Sequence, residues 1–203
     1  MPSLPIVDIR YYFESLLTYL QRYAPLNRDD FKKLVPFLEV RNFEKKTAIL
    51  PIGIVENYVN VVMRGMVRKS IRTKGNDLTL QLATEGHLIH SEISFHQRIP
   101  SEMIIETVEP SIVISISYEN MQTVLEEFAW AERLAGAIIA AMYIQKDARA
   151  MLQLTKGTKE RFIDYVTNNP QMLQRVPQKI LASYLNIKPE TYSRLKHLLR
   201  GRS

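Results

Sequence analysis

Glu190 and Arg194 stand four residues apart, one turn along a helix, so their side chains leave the same face. A guanidinium donates two hydrogen bonds to guanine O6 and N7, and a carboxylate accepts from cytosine N4. Together they have the chemistry to read neighbouring base pairs in a major groove. Ser193 and His197 share that stripe. On an ordinary amphipathic helix the same pair is a surface ion pair worth about 0.3–0.5 kcal/mol. The elements that position it decide between the two.

Those elements read as a helix-turn-helix. A first helix from Gln178 places Ile180, Leu181 and Leu185 on an apolar face, with small Ala182 where a second helix must cross closely. Asn186 tolerates the left-handed backbone conformation and so can turn the chain sharply. Pro189 is preorganised for the first position of a second helix, along which Tyr192, Leu195 and Leu199 recur at helical spacing. Glu190, Ser193 and Arg194 are then left outward, in the half of the helix that enters the groove when such motifs dock.

Charge gathers in the same region. From Met151 to Ser203 ten basic residues stand against three acidic ones, a net of +7 where the whole chain carries +6, so everything before Met151 sums to −1. Each phosphate neutralised by Lys or Arg releases condensed counterions, and a basic segment beside a helix-turn-helix fits double-stranded DNA. Lys179, Lys188, Lys196, Arg200 and Arg202 are the expected phosphate contacts. Lys188 is a poor helix cap, a local loss that its charge offsets.

Composition narrows the remainder. A chain of 203 residues with 46% hydrophobic content can build one large or two small cores. The absence of cysteine excludes disulfides, thiol catalysis and iron–sulfur clusters, and is compatible with a reducing compartment. No stretch approaches the roughly 18 uninterrupted apolar residues of a membrane span, and no basic region precedes an apolar run at the N-terminus. A soluble, cytoplasmic protein without membrane contact is expected. No Walker loop, Gly-x-Ser-x-Gly elbow or His-Glu-x-x-His occurs, so no enzyme and no cofactor are expected.

Along the chain, a helix is predicted from Ile9 to Arg22, and Asn27 is placed to cap a short one through Phe31 and Leu34. After Pro36 the texture is that of strands: Leu78, Leu80 and Leu82 alternate with Thr79, Gln81 and Ala83, and Ile112, Ile114 and Ile116 with Val113, Ser115 and Ser117. Further strands are expected at Ala48–Leu50, Tyr58–Met63, Met66–Arg72 and Met103–Val108, with turns at Gly53, Gly65, Gly75-Asn76-Asp77 and Gly86. Many short strands at close spacing suggest a barrel or sandwich-like roll. Helix returns at Glu119–Phe128 and runs on from Ala129 to about Leu154. Leu134, Ile138, Ala141, Ala148 and Leu152 form its stripe, which suits a helix lying on its own domain as well as one packed on a copy of itself. Thr158 is placed to cap a helix at Lys159–Thr167.

In this order of elements the chain resembles the cyclic-AMP receptor / fumarate-nitrate regulator (Crp/Fnr) family. The strongest passages are KERFIDYVTNNPQMLQRVPQKILASYLNIKPETYSRLKH, similar to the family's DNA-binding domain, and ILPIGIVENYVNVVMRGMVRKSIRTKGNDLTLQLATEG, similar to its strand roll. The resemblance implies an α+β chain with three parts. These are a cyclic-nucleotide-binding-like β-roll (a double-stranded β-helix) over 1–128, a dimerisation helix over 129–154 and a winged-helix-like helix-turn-helix domain over 155–203. It further implies a homodimeric transcriptional regulator with Glu190, Ser193 and Arg194 reading bases, a small-molecule effector in the roll, and RNA polymerase as a further candidate partner.

The effector pocket would gather Gly86, His90, Ser91, Glu92, Arg98 and Ser101. Family members that bind cyclic AMP carry a Gly-Glu pair and an Arg-Ser pair there. Here His90-Ser91 and Pro100-Ser101 stand in their place, so the guanidinium that anchors the phosphate is missing and tight binding of cyclic AMP is not expected. Glu92 or Arg98 could substitute if the register shifts. A metal-responsive alternative rests on His87, His90, Glu92 and His96, although exposed loop histidines are commoner than ligands. The other alternative is an interaction module whose DNA-binding function has decayed.

Overall fold

The computed structural model describes residues 9–73 and 77–200, with side chains through His197. Arg202 and the Gly75-Asn76 turn lie outside the described residues, as do the side chains of Leu199 and Arg200. The architecture is α+β. Helices α1 (Ile9–Leu20) and α2 (Arg28–Leu34) precede a run of short strands, β1 (Leu38–Phe43), β2 (Ala48–Leu50), β3 (Tyr58–Arg64), β4 (Val67–Arg72), β5 (Asp77–Ala83) and β6 (Leu88–Ile89). Helix α3 (Glu92–Gln97) interrupts them before β7 (Met103–Thr107) and β8 (Ser111–Ser117). Then follow α4 (Tyr118–Glu127), α5 (Ala129–Thr155), α6 (Thr158–Asn168), α7 (Met172–Arg175), α8 (Gln178–Tyr184) and α9 (Pro189–Arg200).

The strands form two four-stranded sheets, ordered β1-β8-β3-β6 and β2-β7-β4-β5, which make the roll. Strand β8 pairs antiparallel with both β1 and β3. Its alternation separates two apolar environments rather than core from water. Val113 packs inward with Val62, Val67, Ile89 and Ile105, whereas Ile112 and Ile114 pack outward on a cluster that includes Leu16, Leu20, Val124 and Leu134. The turn between β3 and β4 requires Gly65. Its φ is +91°, and an added Cβ would fall 2.6 Å from Ser111 Oγ and against the Pro110 carbonyl.

Helix starts follow their caps. The Asn27 side chain accepts from Asp30 N at 2.8 Å, and Ser117 Oγ accepts from Asn120 N at 3.1 Å. At α6 the cap is Gly157 and not Thr158: Glu160 Oε2 accepts from Gly157 N at 2.9 Å, and Thr158 is already helical. Leu78 and Leu80 are exposed while Thr79 is buried, so the inner face of β5 begins with the polar residue. His90 and Glu92 do not share a strand face, because β6 ends at Ile89 and the chain turns into α3 at Glu92.

Two compact units result, one running to Lys69 and resuming over Ala83–Ala141, the other joining Ser70–Leu82 to the residues from Met142 onward. Within the second unit Arg149 stacks over the Tyr184 ring at 3.9 Å and donates to the carbonyls of Leu80 and Tyr184. Ser183 Oγ donates to Asp77 O and accepts from Thr79 N, both at 2.9 Å. No helix among the described residues is long and apolar enough to cross a membrane.

Candidate nucleic-acid interface

Helix α8 ends where Asn186 takes φ +54°, and the turn closes as Ile187 N donates to Ala182 O at 2.9 Å. Helix α9 starts one turn later, its first bond running from Tyr192 N to Lys188 O at 2.9 Å. Leu181, Ala182 and Tyr192 are almost wholly buried, and Leu185, Ile187 and Leu195 complete the seam between the two helices. Behind it the Phe162 ring meets Tyr192 edge-on at 5.2 Å, which ties α6 to α9. Burial also raises the Tyr192 hydroxyl above its ordinary pKa, so the ring stays neutral.

With that seam filled, the opposite face of α9 is outward. Glu190, Ser193, Arg194 and His197 are all exposed. Arg194 Nη2 reaches Thr191 Oγ1 only at 3.5 Å, and no ion pair joins Arg194 to Glu190 among the described residues. Lys179 and Lys188 are exposed and Lys196 is half-buried, none with an acidic partner among the described residues. The guanidinium, the carboxylate and these ammonium groups thus share the surface of one motif, with Arg194 held only by its long bond to Thr191.

The stripe on α5 divides. Leu134 is buried and Ile138 half-buried against the first unit's own core, while Ala141 is half-buried at its edge. Ala148 and Leu152 are exposed together with Ile144 and Met151. The same helical face therefore serves its own roll first and then continues uncovered.

In the roll, the expected effector residues converge but are engaged with one another. Gly86 takes φ +77° and donates to Val62 O at 2.8 Å. Glu56 is buried and accepts from Tyr58 N at 3.0 Å and Ser91 N at 3.3 Å. Burial raises its pKa, partly offset by those backbone N–H groups and by the charge of Arg41. Ser101 Oγ donates to Ser91 Oγ at 3.1 Å and accepts from Met103 N at 3.1 Å. Arg98 lies 4.1 Å over the Tyr118 ring and donates to Glu56 O at 2.6 Å. Lys69, also buried, donates to His90 O at 2.9 Å and holds both Glu92 oxygens at 2.9 and 2.8 Å.

Glu56 and Lys69 were not among the residues expected from sequence. The signal for Lys69 was its parity with Val67 on β4, which puts both inside. Among the described residues no three metal-ligating side chains gather. The His90 and His96 rings lie 6.1 Å apart, and His87 bonds instead to Thr84.

A roll of two antiparallel sheets is followed by a 27-residue helix and a helical domain with a helix-turn-helix, and solved structures share this architecture. CLP, the c-di-GMP responsive global regulator of Xanthomonas campestris, has a TM-score of 0.68 at 16% identity, over 87% of this chain and 93% of that one. A protein from Eubacterium rectale assigned as a transcriptional regulator of the Crp/Fnr family has a TM-score of 0.68 at 16% identity, over 89% and 88%. The catabolite activator protein of Thermus thermophilus has a TM-score of 0.56 at 18% identity, over 91% and 87%. No protein-family model and no curated protein matches the chain. The likeness is one of fold.

Proposed function

We propose that this chain is a sequence-specific DNA-binding transcriptional regulator that acts as a homodimer on a pseudo-palindromic site. The observation that carries the reading is the outward stripe of α9. Glu190, Ser193 and Arg194 are exposed beyond a left-handed turn at Asn186, with lysines flanking them on the same motif. Glu190 and Arg194 read base edges, Ser193 adds a third contact, and Lys179, Lys188, Lys196, Arg200 and Arg202 meet phosphates. The uncovered half of the α5 stripe joins two copies. RNA polymerase is a further partner in this reading.

The roll does not take cyclic AMP tightly, because the cations near its pocket are committed to Glu92, the Glu56 carbonyl and Tyr118, and a buried phosphate would have to break those contacts. The likeness of fold to proteins described as a global regulator and a transcriptional regulator supports this reading, and one of them is described as responsive to c-di-GMP.

Selection of bound sequences from random double-stranded DNA tests the proposal. A two-fold symmetric motif is expected, its half-sites one helical turn, about 34 Å, apart. Recovery of no preferred sequence would instead favour an interaction module.

A further inference from the structure

We infer that the first unit holds an apolar ligand site, separate from the polar pocket of the roll, which takes a small uncharged hydrophobic molecule the size of one aromatic ring. A cavity of about 120 Å³ lies between the outer face of the roll and helices α1, α4 and α5. Leu16, Val61, Ile114, Leu125, Trp130 and Ala135 are among the residues that line it, and every lining residue is apolar. A charged effector would find no counter-charge there, and its desolvation would go uncompensated. Water fares little better, because a buried water needs two to four polar partners. Enclosed cavities of comparable size, on the order of 150 Å³ and lined by aliphatic and aromatic side chains, take up benzene or xenon, and this one differs in being half-open to solvent.

A second copy of the chain is a poorer occupant, for the uncovered apolar residues of α5 begin only at Ile139 and run through Ile144 and Met151 to Leu154. Because Trp130, Leu134 and Ala135 belong to α5, an occupant touches the base of the helix assigned to dimerisation. That regulatory consequence rests on the proposed function, whereas binding itself does not.

Trp130 is the chain's single tryptophan, and so reports on the cavity directly. Titrating the full chain with iodobenzene, whose heavy atom quenches indole emission at close range, is expected to give saturable quenching with one site per chain. Ala135→Phe, which fills the cavity from α5, should abolish the saturable component and leave only shallow linear quenching. Leu125→Phe fills it from α4 and serves if circular dichroism shows the first variant unfolded. Linear quenching of the parent would overturn the inference, as would saturation unchanged in a folded, filled variant. Saturable quenching that disappears as protein concentration rises would also overturn it, by assigning the groove to a second copy. DNA binding by gel shift is read separately on the same samples, so this inference and the proposed function fail independently.

Discussion

Arg194 leaves α9 with its guanidinium exposed, so its replacement isolates base reading from folding. Arg194→Ala should weaken binding to the selected site by roughly 1–3 kcal/mol and relax preference at one base pair, with the thermal midpoint unchanged. An equal loss on all sequences, measured by competition gel shift, would reassign the residue to a phosphate. Glu56 offers a different test, since its carboxyl is buried and its pKa lies above the ordinary 4.5. As pH rises, the unfolded chain releases this proton before the folded one does, so the folded state loses stability from the ordinary value up through the raised one. Glu56→Gln is neutral throughout and lacks that slope. The midpoint of the variant minus that of the parent should therefore increase as pH rises above the ordinary 4.5 in thermal denaturation, and a constant difference would place the proton elsewhere.

At the scale of elements, α5 shows how far a stripe of side chains can be read. Its spacing was compatible with packing on its own domain or on a copy. The structure uses Leu134 and Ile138 for the former and leaves Ile144, Ala148, Met151 and Leu152 uncovered. Replacing Ile144 and Met151 together by Glu, a good helix former, should preserve helicity and convert a dimer to a monomer in light scattering. Persistence of the dimer would move the interface off this face. Elements with local signals were legible in the sequence, such as Asn27 capping α2 and Asn186 turning α8 into α9. Helix α3 was not, because six residues span less than two turns and offer no period to read. Alternation likewise defined two faces of β5 without saying which one is inside. The outward stripe of α9 was legible because its residues are neighbours along one helix. The closed roll pocket was not, since Lys69–Glu92 and Glu56–Ser91 join residues 23 and 35 positions apart.

For the molecule as a whole, the decisive property is where its charge lies. Net charge of +6 spread evenly would attract any polyanion weakly. Here the segment from Met151 carries the excess, on the same motif that exposes Glu190 and Arg194. Under the proposed function, binding has two separable parts, a salt-dependent part from phosphates and a sequence-dependent part from base edges. Lys179 and Lys188 are both exposed and have no acidic partner among the described residues, so removing their charge leaves no buried group unpaired. In a symmetric dimer each substitution acts twice. Lys179→Gln with Lys188→Gln should therefore lower affinity for all sequences alike and reduce the magnitude of the slope of log K against log salt by about 0.9 for each phosphate no longer neutralised, roughly 3 to 4 in total. Preference between the selected site and a scrambled one should be unchanged. A titration over a range of salt concentrations distinguishes the outcomes. An unaltered slope would show that these lysines do not meet phosphate, and a slope reduced by half the expected amount would show that only two of the four ammonium groups do.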